Sequence, residues 1–177
     1  MIIIASSTFE VDLNEGSVIQ YPLDSYVARL DVQLLDGKSS LRLPARVTMW
    51  EGVLGYSLHT TSRPGHDPSD VQLTTAIARS GAFALFALCA YGAMVVLGCC
   101  AIVVGALTFI DVRAAETSLI GSLAAIAFAL PVLRNALPGS PPLGVAADMW
   151  VFLWAELATV LALALVVFKW AKAGPRP

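Results

Sequence analysis

From Gly81 to Ile110 the chain runs thirty residues without one charged side chain. A helix needs only about 20 residues to cross a hydrocarbon core of about 30 Å, so this run has few soluble folds open to it. Two more apolar runs follow. Ser118 to Leu133 is near the lower limit for a span, and Met149 to Phe168 is interrupted only by Glu156. Asp111, Arg113 and Glu116 separate the first two runs and require a short polar turn. The spans are therefore expected at 81–110, 118–134 and 149–168, inside a helical domain of residues 76–177.

Residues 1–75 obey a different rule. They hold nine of the thirteen acids, and the uncharged stretches all lie beyond Ser80. In Tyr26-Val27-Ala28-Arg29-Leu30-Asp31-Val32-Gln33-Leu34 apolar and polar side chains alternate, the period of a half-buried antiparallel strand. Thr8–Leu13, Leu41–Trp50 and Val53–Thr60 are predicted as further strands. Asn14-Glu15-Gly16, Asp36-Gly37-Lys38 and Glu51-Gly52 are predicted as turns. Asp67-Pro68-Ser69-Asp70 has the composition of a helix start, and predicts a helix running on into the first span. The fold class is thus a membrane protein of the α+β type: a small extracytoplasmic antiparallel β-domain, then three transmembrane helices. About 65 residues of strand is thin beside the roughly 100 of a free-standing sandwich. The domain is expected to be completed by a partner or by residues upstream of Met1.

Basic residues near helix ends prefer the cytoplasmic side. With the C-terminus inside, Arg113, Lys169, Lys172 and Arg176 are cytoplasmic, while Arg79 and Arg134 are outside. The bias places the β-domain outside the bacterial inner membrane and the C-terminus in the cytoplasm. Trp150 and Trp154 then mark the outer end of the third span and Trp170 the inner end.

Within the spans, spacing separates buried from lipid-facing sides. Ala87, Tyr91, Met94, Gly98, Ala101, Gly105 and Thr108 recur at steps of three and four, a mostly small-residue seam on which another helix can approach closely. In the third span Ala155, Thr159, Ala162 and Val166 share one side beneath Asp148, opposite Trp150, Trp154, Leu157, Leu161, Leu165 and Phe168. Glu156 is the one ionisable residue deep in a span. Its solitude favours a tie to Arg134 or a subunit contact over an ion relay, which needs several polar groups in line.

Chemistry-bearing motifs are few. Gly55-Tyr56-Ser57-Leu58-His59 lacks the final glycine and the following helix of a nucleophile elbow. His59 and His66 beside Asp67 and Asp70 are weak as a metal set. Cys89, Cys99 and Cys100 all fall within the first span and are expected to serve as small apolar residues. A net charge of −2 without a basic run gives no nucleic-acid footprint. The expectation is a non-enzyme without cofactor or metal.

Two stretches carry a family resemblance. Tyr21-Pro22-Leu23-Asp24-Ser25-Tyr26, at the entry to a strand, forms one corner. Leu133-Arg134-Asn135-Ala136-Leu137-Pro138-Gly139-Ser140-Pro141-Pro142-Leu143-Gly144, then Asp148 and Phe152-Leu153-Trp154-Ala155-Glu156, forms a long signature. Together they resemble an actinobacterial membrane family, frequent in mycobacteria and classed as a domain of unknown function. The resemblance implies an external β-domain before three helices, usually after an N-terminal anchor that this sequence lacks. It further implies an accessory subunit of the LucB kind, beside the permease or Mce chains of an ABC-type lipid importer in contact with membrane lipid. By that reading Tyr21, Pro22, Asp24 and Tyr26 build a structural corner, with Asp24 capping the turn that Pro22 fixes. Ala87, Tyr91, Gly98, Ala101, Gly105, Arg134, Asp148, Glu156 and Thr159 serve helix or partner packing. A homo-oligomeric receptor or ligand-gated channel subunit is the alternative, weakened by a missing fourth helix and a missing polar pore stripe.

Overall fold

The computed structural model describes residues 13–36, 42–43, 47, 50, 52–64 and 70–173. The chain divides into two compact units: Met1–Ser17 with Leu23–Ser80, and Val18–Pro22 with Gly81–Pro177.

The first unit is an antiparallel sheet. Its strands are β1 (Leu13–Gly16), β2 (Ser25–Leu35), β3 (Arg42–Leu43), β4 (Tyr56–Pro64) and β5 (Asp70–Arg79). The spatial order is β1-β2-β5-β4, and the two-residue β3 pairs with the far end of β2. β5 corrects the sequence reading, which has this segment opening a helix. Val71, Leu73, Thr75 and Ile77 alternate with Gln72, Thr74, Ala76 and Ala78, a period of two rich in β-branched residues. Paired on both sides, β5 satisfies its backbone in two ladders, from Ser25↔Ala78 to Gln33↔Asp70 and from Tyr56↔Arg79 to Pro64↔Val71. Helix begins only at Gly81, so the sheet unit runs to Ser80 and not to 75. Asn14-Glu15-Gly16, read as a turn, belongs to β1. Leu73 and Thr75 are buried, and Thr75 shares a 3.0 Å hydroxyl hydrogen bond with Thr60 across the ladder. The expected strand residues 8–12 and most of 41–50 lie outside the described residues.

The second unit holds three helices: α1 (Gly81–Phe109), α2 (Thr117–Asn135) and α3 (Leu153–Lys172), the last entered through a π-helical turn at Asp148–Phe152. Each is long and apolar enough to cross a membrane, the third counted with its π-turn from Asp148. Apolar side chains such as Phe86, Val96, Val103, Phe128, Trp154 and Leu161 are exposed along their outer faces. An exterior of this kind is suited to hydrocarbon rather than water.

α1 and α3 run parallel in tight contact. The pairs Tyr91/Asp148, Gly98/Ala155 and Gly105/Ala162 all have the same sequence separation, 57 residues, and recur every seven. Seven residues make two turns of a slightly underwound helix, so one face stays in contact along the whole pair. At Gly98 an added Cβ would lie 2.9 Å from the Ala155 Cα, and at Gly105 it would lie 2.7 Å from the Ala162 Cα. Only glycine lets these backbones come so close. α2 returns between them in sequence and contributes Leu123 and Leu130 to the core.

Candidate functional site

The chemically richest place in the helical unit is where the α2–α3 connection closes. Arg134, in the last turn of α2, and Asp148, at the start of the π-turn, are both buried. Arg134 Nη2 donates to Asp148 Oδ2 at 2.6 Å, and Nε reaches Oδ1 and Oδ2 at 3.2 and 3.3 Å, a two-pronged pair. Tyr91 Oη, on α1, donates to Asp148 Oδ1 at 2.8 Å, and the Gly144 backbone N–H reaches Oδ2 at 3.3 Å. Arg134 Nη2 also donates to the Pro141 and Pro142 carbonyls at 3.0 and 2.8 Å. These prolines suit the position, since each offers an acceptor and no N–H that would itself need a partner. Gly139 and Gly144 take φ of +76° and +94°, which lets the short loop fold back over the pair.

Tyr21 completes the arrangement from a distant part of the chain. Its hydroxyl donates to the Pro138 carbonyl at 3.1 Å, and its ring meets Tyr91 edge to face, with centroids 6.5 Å apart. Three helices, their connecting loop and residues 18–22 are therefore joined at one knot of hydrogen bonds. A charge pair in so apolar a setting is tolerable only when its donors and acceptors are satisfied. Each Asp148 oxygen here accepts at least two hydrogen bonds.

The other residues named from sequence lie along α1 and α3. Ala87, Tyr91, Gly98, Ala101 and Gly105 lie on the buried face of α1 together with Ala90, Met94 and Thr108. Thr159 is buried on α3 with Ala155, Ala162 and Val166, its hydroxyl donating to the Ala155 carbonyl at 2.8 Å. Glu156 is different. The Arg134 guanidinium expected to hold it is engaged by Asp148, and Glu156 Oε2 is buried with no hydrogen-bond partner among the described residues. Arg134 is drawn to Asp148 because the π-turn and the folded loop bring that carboxylate to the end of α2.

The sequence corner is divided. Tyr21 and Pro22, joined by a cis peptide bond, belong to the helical unit, while Asp24 and Tyr26 belong to the sheet unit. Asp24 does more there than cap a turn. It is fully buried and accepts from Arg79 Nε at 2.6 Å, and the Arg79 guanidinium lies 5.3 Å above the Tyr56 ring. Burial, then a hydrogen bond to Asp24 and the charge of that carboxylate, push the Tyr26 hydroxyl up to about 12. Arg79, Tyr56 and the two proline carbonyls escape sequence reading. Arg79 does leave a trace, as the last charge before thirty uncharged residues.

Residues 79–173 match the family described as Domain of unknown function (DUF8686), more than half of the chain. The chain belongs to the DUF8686 family. The DUF8686 match contains the whole α1–α3 seam and the Arg134–Asp148 pair. Residues 2–75, which include Tyr21, Asp24 and Tyr26, match a second family, Domain of unknown function (DUF4436). No curated protein matches the chain.

Proposed function

We propose that this DUF8686 protein is a non-catalytic accessory subunit of a multi-subunit inner-membrane complex, an ABC-type lipid importer of the Mce kind. In this reading the β-domain is extracytoplasmic, the C-terminus is cytoplasmic, and the helices stabilise or regulate the permease or Mce chains. The observation that carries the proposal is the closed geometry of the Arg134–Asp148 knot. The residues behind the family resemblance, from Arg134 to Asp148, spend their polar groups on one another and on their own loop. Polar groups consumed this way hold a scaffold in shape, which is what an accessory subunit requires. The long apolar outer faces of α1 and α3 supply surface for lipid or a neighbouring subunit. The resemblance supplies the lipid importer.

Affinity purification from native membranes in mild detergent tests the proposal. Co-purification of a permease, an ATPase or Mce chains is the expected result; a homo-oligomer free of other chains would favour the receptor or channel alternative. The orientation has its own check. A membrane-impermeant thiol reagent added outside should modify Ser62→Cys and miss Ala173→Cys, and the reverse pattern would overturn it.

A further inference from the structure

The end of the sheet from which the chain leaves for α1 carries large exposed apolar side chains. Ser80 N–H donates to the Gly55 carbonyl at 2.9 Å, and Ser80 is followed directly by Gly81, the first residue of α1. Gly55 closes a tight turn: Tyr56 N–H donates to the Val53 carbonyl at 3.2 Å, and Gly55 takes a φ of +84°. A type II turn requires such a φ at its third residue, and that places Leu54 at the first of its two corner positions. Leu54 is 91% exposed and Val53 54% exposed. Leu23 lies two residues before β2, whose first residue Ser25 pairs with Ala78, and is 68% exposed. Trp50, a little upstream of the turn, is 91% exposed.

Farther along the same strands, among the described residues, Asp31, Arg63 and Gln72 are exposed and share a register position. That position is about 23 Å from the Tyr56–Arg79 pair at roughly 3.3 Å per residue. Water gives no reason to set large apolar side chains so fully exposed beside the start of α1. A lipid interface does, because apolar side chains gain by entering the boundary between headgroups and acyl chains, and tryptophan is favoured there.

We infer that Leu23, Val53 and Leu54, with Trp50, form a membrane-contacting rim that dips into the lipid interface beside the point where α1 enters the bilayer. The occupant is the lipid surface itself. The covalent continuity from Ser80 to Gly81 selects it, since a rim hydrogen-bonded to the last residue before a span cannot lie far from the bilayer surface. The inference rests on the reading that α1 spans the membrane, and the experiment separates the two.

In a background with Cys89, Cys99 and Cys100 replaced by alanine, single cysteines Leu54→Cys, Arg63→Cys and Val96→Cys are labelled with the environment-sensitive fluorophore NBD. The full chain is reconstituted in phosphatidylcholine vesicles containing a nitroxide lipid. Val96 is exposed on the middle of α1 and reports the span. The expected result is loss of NBD emission at 54 with the nitroxide just below the headgroup, loss at 96 with a deep nitroxide, and no loss at 63, where aqueous iodide quenches instead. Two results would overturn the rim while leaving the span intact, provided 96 is still quenched by lipid. One is iodide quenching at 54 like that at 63. The other is shielding at 54 from both quenchers, as a covering protein surface would give. No lipid quenching at 96 would overturn the spanning reading first, and the rim with it.

Discussion

Each unit holds a buried arginine–aspartate pair, and the two are built differently. In the sheet, Arg79 Nε donates to Asp24 at 2.6 Å, with Tyr56 beneath the guanidinium and Tyr26 against the carboxylate. In the helical unit, Arg134 and Asp148 meet at 2.6 Å through two guanidinium nitrogens, and two carbonyls, a tyrosine hydroxyl and a backbone N–H complete the set. The difference follows from the solvent each unit is suited to. Both pairs are closed to solvent, but only the helical pair sits among lipid-suited faces, where a polar atom gains little from its surroundings. Aromatic rings flank the first pair. The second needs a loop shaped to deliver acceptors without donors.

The comparison is broken most severely by removing one member of the richer pair. Asp148→Asn leaves Arg134 buried against a neutral amide, and should lower the stability of the helical unit by about 3–5 kcal/mol, read as detergent-resistant helical signal on denaturant titration. Asp24→Asn should cost less, about 3 kcal/mol at the lower end of the same effect, because Tyr56 still faces the Arg79 guanidinium. Its loss should appear in the sheet signal while the helices hold.

The seam sharpens the contrast within the helical unit. Gly105→Ala puts a methyl group 2.7 Å from the Ala162 Cα, so α1 and α3 must separate, at about 1–3 kcal/mol. Gly92→Ala, with nothing within 4 Å, is the matched control and should be neutral or slightly stabilising, since alanine favours helix. Equal melting temperatures for the two variants would remove the seam from the account. Glu156→Gln should change stability by no more than about 1 kcal/mol, since no cation is stranded by it. A loss as large as that of Asp148→Asn would show that Glu156 holds a charge partner after all.

The last effect appears only in alkali. The Tyr26 hydroxyl titrates higher in the fold than its ordinary 10.0, so its contribution is fully present below pH 10 and is lost as pH rises through about 12. Tyr26→Phe should flatten that part of the sheet's pH–stability curve, measured by circular dichroism.

What the sequence makes legible is periodicity. The buried faces of α1 and α3 follow from small residues at steps of three and four, because a helix repeats and a helix pair repeats with it. β2 is legible for the same reason, through strict alternation. β5 is less so: Asp70 reads as a cap, and only pairing with β2 and β4 makes residues 70–79 a central strand. The knot is the least legible. Arg134 has two acids within reach near the start of the third helix, Asp148 and Glu156, and linear spacing does not choose between them. The choice is made by left-handed residues at Gly139 and Gly144 and by a π-turn, features of a folded loop and not of a repeat. Asp24 and Arg79 stand 55 residues apart, joined only once β2 and β5 are paired.

The central claim is that Arg134 and Asp148 act as one unit that holds the helical domain together. A double-mutant cycle tests it directly, with unfolding free energies of Arg134→Met, Asp148→Leu and the double variant measured in the same detergent. The account predicts that the double variant is less destabilised than the sum of the two single losses by roughly 1–3 kcal/mol, because neither charge is then left alone in the apolar interior. Two single losses that simply add would contradict it, and would make the pair two neighbours and not a staple.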